Sequence, residues 1–116
     1  MAADHRPLLE DLRARASARL ASATTALDAL VHEREGSHDD DEHDPEGVPL
    51  SAEWSRLSAL TEDAAAELGQ VEDALARLDA GAYGMCTACG RPIPLARLEV
   101  RPFAEHCVAC AERLGR

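Results

Sequence analysis

The 116-residue sequence contains no lysine, and its only aromatic residues are Trp54, Tyr83 and Phe103. With a formal net charge of −10, the missing lysine argues against general binding to a phosphate backbone, which needs many cations to release counterions. Direct DNA binding is therefore not expected, and a basic protein surface is the favoured partner. The shortage of aromatics limits the core. The chain is 46% apolar, but much of that is alanine, which fills little space, so long helices suit the composition better than a large globular core. The length allows one modest domain, or a small domain carrying an extended appendage. No stretch approaches eighteen apolar residues and the first thirty residues lack the pattern of an export signal. The expected setting is the cytoplasm, with no membrane contact. In that reducing compartment, cysteines in two close pairs point to metal ligation before disulfides.

Two apolar seams run along the chain. Leu9, Leu12, Ala16, Leu20, Ala23, Leu27 and Leu30 recur at steps of three or four, as do Trp54, Leu57, Leu60, Ala64, Leu68, Val71, Leu75 and Leu78. Each seam predicts one helix. Pro7 suits the first turn of the first helix; Ser51 is the expected N-cap of the second and Gly81 its stop. Between them, residues 36–50 carry Asp39, Asp40, Asp41, Glu42, Asp44 and Glu46 with no cation, plus Pro45, Gly47 and Pro49, and read as a loop. Two helices of similar length with narrow apolar stripes bury those stripes by pairing antiparallel. The expected fold is all-α: a long antiparallel coiled-coil hairpin over residues 1–80 with an acidic tip loop at 36–50, then a small four-cysteine module over 81–116 with a short C-terminal helix.

Cys86 and Cys89 form one CxxC pair and Cys107 and Cys110 another, with seventeen residues between the pairs. Each pair presents two thiolates from one turn, and the spacer returns the chain to complete a tetrahedron, so the four predict one structural Zn²⁺. Gly90 after Cys89, and Gly84 before Cys86, are expected to let the backbone approach the sulfurs. Arg91, Arg97, Arg101 and His106 are at hand to offset the cluster's negative charge. His106 is expected beside the site and not in it, because adjacent residues rarely both reach one tetrahedral ion. Four cysteines leave no open coordination position, so no catalysis at the metal is expected and the chain does not read as an enzyme. A segment of this size does not stabilise itself by burial alone, so the metal is expected to be required for its folding.

The run Ala80 to Gly90, followed by Ile93, Arg97, Leu98, Arg101, Pro102, Ala104 and the second CxxC, resembles the DksA/TraR family of bacterial transcription regulators. The resemblance is detailed over roughly Ala74 to Cys110 and architectural before that. It implies a regulator that binds RNA polymerase and not DNA, inserting the hairpin tip through the secondary channel while zinc holds the hairpin's base. The family's tip pattern, Asp-x-x-Asp-x-Ala, falls on Asp44, Gly47 and Pro49, so two of the three positions differ. The partner-binding residues at the tip would then be Asp39, Asp40, Asp41, Glu42, Asp44 and Glu46 in another arrangement. The basic trio that the resemblance ties to alarmone binding falls on Gln70, Arg101 and Ala111. One cation remains, and strong ppGpp dependence is not expected.

Two other readings stay open on the residues. A zinc-stabilised adaptor or stress protein would use the same hairpin on another protein, and a thiol-redox sensor would release zinc on oxidation. The acidic run also reads as a solvated connector, or, with His38 and His43, as a weak divalent-metal site.

Overall fold

The computed structural model describes residues 5–36 and 50–115. Helix α1 spans Arg6–Gly36 and α2 spans Leu50–Asp79, followed by two short helices, α3 at Leu95–Val100 and α4 at Val108–Leu114. The architecture is all-α, a long helix pair with the four cysteines towards the C-terminal end. The acidic residues of the predicted tip, Asp39 to Glu42, Asp44 and Glu46, and with them His38 and His43, lie outside the described residues.

The first seam is confirmed residue by residue. Between Pro7 and Glu33, the residues not exposed are Leu9, Leu12, Ala16, Leu20, Ala23, Leu27 and Leu30, the seven expected. The second needs two corrections. Trp54 is 46% exposed and Leu60 45% exposed, whereas Thr61 is half-buried. The seam of α2 runs Leu57, Thr61, Ala64, Leu68, Val71, Leu75 and Leu78, in alternating steps of four and three that give the heptad period of a left-handed coiled coil. Hydrophobicity favours Leu60 over Thr61 for this seam. Thr61 enters it because its hydroxyl donates to the Leu57 carbonyl at 2.9 Å within the same helix, leaving no polar atom to strand.

Helix α2 begins at Leu50, so Ser51 lies inside it and not at its cap. Its end is as expected. Gly81 adopts φ 76°; the Ala82 amide donates to the Arg77 carbonyl at 2.8 Å and the Gly81 amide to the Leu78 carbonyl at 3.1 Å. This is the six-to-one and five-to-two bonding of a Schellman stop, which satisfies carbonyls the helix would leave unpaired.

The chain forms two compact units. One joins Met1–Arg13 to Gly69–Arg116 and the other is Ala14–Leu68. In the first, Arg6 meets Asp79 at 2.6 Å and Arg13 approaches Glu72 at 4.0 Å, so partners descend α2 as they ascend α1 and the helices run antiparallel. Its core gathers Leu9 from α1, Val71, Ala74 and Leu75 from α2, and Tyr83, Cys86, Ile93, Leu98 and Cys110 from the cysteine-bearing segment. In the second unit Arg19 pairs with Glu67 at 2.7 Å across the helices. Ala16, Ala23, Leu57 and Ala64 are its buried residues among those described.

Candidate metal centre

The first cysteine pair sits in a tight turn. The Cys86 amide donates to the Arg91 carbonyl at 2.8 Å, the Gly90 amide to the Cys86 carbonyl at 2.8 Å and the Ile93 amide to the Gly84 carbonyl at 2.7 Å. Met85 and Pro92 form an isolated antiparallel bridge across it. Gly90 takes φ 78°, and a Cβ there would meet nothing within 4 Å. Its role is therefore the left-handed backbone that closes the turn, not the close approach expected from the sequence. The second pair spans the start of α4, with Cys107 at its N-cap and Cys110 buried within it.

The spacer folds back through α3. Leu98 and Ile93 enter the core, Arg97 donates from Nε to the His106 carbonyl at 2.9 Å, and the Thr87 amide donates to the Glu105 carbonyl at 2.8 Å. Arg77 of α2 reaches Glu105 at 3.3 Å. These bonds carry Cys107 and Cys110 back to Cys86 and Cys89.

The four Sγ atoms lie within 4.8 Å of one another, and those of Cys89 and Cys107 are 3.9 Å apart. All four cysteines are free thiols. A tetrahedral ion with Zn–S bonds of about 2.3 Å places its sulfurs roughly 3.8 Å apart, whereas a disulfide needs about 2.05 Å. The quartet fits a closed zinc site, its four thiols filling the four tetrahedral positions.

Its electrostatics call for a cation. Burial opposes ionisation of Cys86, but backbone N–H groups of Cys107, Cys89 and Ala88, together with the Cys89 thiol, stabilise its thiolate and bring the pKa down to about 5. Cys107 is lowered too, chiefly by the Cys110 backbone N–H. Arg113, whose guanidinium donates to the Cys110 sulfur at 3.2 Å, favours that thiolate; burial and the neighbouring sulfurs outweigh it and push Cys110 up to about 11. One thiol ionises readily and the last resists, because adjacent negative charges repel. A divalent ion removes that conflict, and binding it displaces the remaining protons.

Arg113 is the functional residue that the sequence reading overlooked. The candidates for charge compensation were Arg91, Arg97, Arg101 and His106, of which Arg97 is engaged with the His106 carbonyl. The available signal was spacing: Arg113 follows Cys110 by three residues inside α4, which puts both on one helix face. Gln70, Arg101 and Ala111 line one groove of about 750 Å³ beside the module.

Residues 81–114 match the prokaryotic dksA/traR C4-type zinc finger. A structure of transcription factor DksA2 from Pseudomonas aeruginosa superposes with a TM-score of 0.82 at 32% identity, covering 98% of this chain and 82% of that one. The chain belongs to the DksA/TraR zinc-finger family. Among curated relatives, an RNA polymerase-binding transcription factor DksA from Caulobacter vibrioides is 45% identical over 49 residues, which is 42% of this chain and 34% of the relative. An uncharacterized protein from Aquifex aeolicus is 37% identical over 60 residues, or 52% of this chain and 41% of the relative. The chain thus spans less than half the length of these two curated relatives. As in other C4-type DksA/TraR modules, the cofactor is one structural zinc ion. Among the described residues, no helix is long and apolar enough to cross a membrane.

Proposed function

We propose that the chain is a cytoplasmic, non-enzymatic transcription regulator that binds RNA polymerase by placing its helix pair in the secondary channel. Residues 1–80 form the inserting hairpin and residues 81–116 the zinc module. Cys86, Cys89, Cys107 and Cys110 are the zinc ligands, and the metal stabilises the base of the hairpin. The observation carrying this reading is the match of 98% of the chain to DksA2 at a TM-score of 0.82, together with a relative named as RNA polymerase-binding. The charge of −10 favours a basic protein surface over DNA. Asp39, Asp40, Asp41, Glu42, Asp44 and Glu46 supply the negative tip. With Gln70 and Ala111 in place of cations around the groove that Arg101 shares, dependence on ppGpp is weak.

The test is co-elution of the zinc-loaded chain with the host's core polymerase, and competition against a known channel-binding factor. Binding that the competitor displaces is expected. Absence of binding at micromolar concentration overturns the assignment, and binding without competition points to another surface of the enzyme. Neutralising Asp39, Asp40, Asp41 and Asp44 together is expected to change transcription with little change in thermal stability, since substitutions away from a packed core cost little.

A further inference from the structure

The two flanks of the helix pair differ in charge within the unit Ala14–Leu68. Helical periodicity sends Arg15, Arg19 and Arg56 to one flank. There Arg19 is paired to Glu67 and Arg56 to Glu53, each at 2.7 Å, and Leu60 lines a shallow groove with Arg19 and Asp63. The same periodicity puts Leu20, Leu27 and Val31 of α1 on the opposite flank with Trp54, Ser58 and Thr61 of α2. None of these six is charged, and among the described residues of the unit no arginine lies on that side. The register that sets Arg19 beside Glu67 brings Val31 to the height of Trp54. Val31 is 38% and Trp54 46% exposed. Asp28 and Glu62 border the strip by the same periodicity.

An indole left half in water beside an uncharged strip is the kind of anchor that dominates protein interfaces. The acidic border selects the partner by sign: it attracts a cationic surface. A second copy of this chain, with its own net charge of −10 and the same acidic border, is repelled. We propose that this flank, centred on Trp54, docks a basic protein segment that offers a cleft for the indole. The inference rests on the polymerase reading and names the face of the helix pair that makes the contact.

Labelled chain is titrated with the host's core polymerase and followed by anisotropy, with circular dichroism confirming that each variant stays helical. Trp54→Ala is expected to weaken binding about tenfold or more, as a central aromatic anchor does. Leu60→Ala, equally exposed on the other flank, is expected to change it by less than about threefold, as rim positions do. Trp54→Phe should retain part of the affinity, and Asp28→Arg with Glu62→Arg should lower it further at low salt. If wild type binds and Trp54→Ala binds equally well, the flank is wrong while the polymerase reading stands. If wild type does not bind, both fall. A dimer by sedimentation that Trp54→Ala dissolves would assign the flank to self-association and overturn the proposal.

Discussion

The hydroxyl of Tyr83 donates a 2.8 Å hydrogen bond to the carbonyl of Pro102, nineteen residues further along the chain. Pro102 opens the segment that returns to the second cysteine pair, so this bond ties the end of α2 to the far side of the zinc module. The Tyr83 ring is buried and lies 5.3 Å from that of His5.

Tyr83→Phe keeps the ring and strands the Pro102 carbonyl, which is expected to cost about 1–2 kcal/mol in thermal unfolding of the zinc-loaded chain. Burial raises the phenol above its ordinary range, against a smaller opposing effect of Arg77. The fold therefore holds the protonated form. This contribution is fully present below the ordinary phenol pKa and is lost as pH rises through the raised value. Tyr83→Phe should lack that part of the alkaline loss; an identical alkaline profile would contradict it.

Leu9 and Leu60 make a matched pair of leucines with opposite surroundings. Leu9 is fully enclosed in the core, whereas Leu60 is 45% exposed. Leu9→Ala is expected to destabilise by about 2–5 kcal/mol through lost contacts and a residual cavity, and Leu60→Ala by no more than about 0.5 kcal/mol. Urea denaturation of both variants checks the contrast, and equal costs would place the core wrongly.

Zinc removal tests the cysteine cluster. Chelation, or Cys86→Ser, is expected to lose most of the packing around Tyr83, Ile93 and Leu98, because structural zinc contributes on the order of 10–16 kcal/mol in small modules. The readout is loss of helicity together with protease sensitivity in the segment after α2. Zinc uptake at neutral pH should release protons, since the thiols of the unpacked module ordinarily titrate at about 8.5 and each must ionise to bind the metal. Affinity should therefore fall as pH is lowered. Calorimetry in buffers of different ionisation enthalpy counts the protons, and uptake without release would refute thiolate ligation.

Gly69 occupies the interior of α2, where a Cβ would meet nothing within 4 Å. Glycine costs roughly 0.5–1 kcal/mol there relative to alanine, mainly through backbone freedom in the unfolded chain. Gly69→Ala is accordingly expected to raise stability by that amount. A fall in melting temperature would mean that the site is crowded by something other than the chain itself.

Much of this architecture is legible in the sequence, for a physical reason. In α1 the seven residues shielded from solvent between Pro7 and Glu33 are the seven of the apolar seam, because nothing polar competes for it and the helical period selects them, while Leu8 and Val31 off that seam stay exposed. In α2 the same reading fails at Leu60 and Trp54, where the seam takes Thr61 because a threonine can satisfy its hydroxyl within its own helix. The metal centre is legible in the spacing of Cys86, Cys89, Cys107 and Cys110, since few constraints other than a shared ion require two such turns. The part of Arg113 is not legible in the cysteine spacing, because it is set by the direction of α4. At Gly90 the spacing marks the residue but not its role: its backbone dihedral matters, and the room above its Cα does not.

Leu9 belongs to the same core as Ile93, Leu98 and Cys110. On the ribosome, that residue is synthesised before them and finds these three neighbours together only after residue 110 has emerged. The segment Ala14–Leu68 has its own buried residues and can collapse in the meantime. Until then only part of that core, Val71, Ala74 and Leu75 first, is available to Leu9. Translation pauses before Cys110 would prolong that interval, so newly made chains should be most vulnerable to chaperone capture or clipping near α1, and least so once that thiol is delivered.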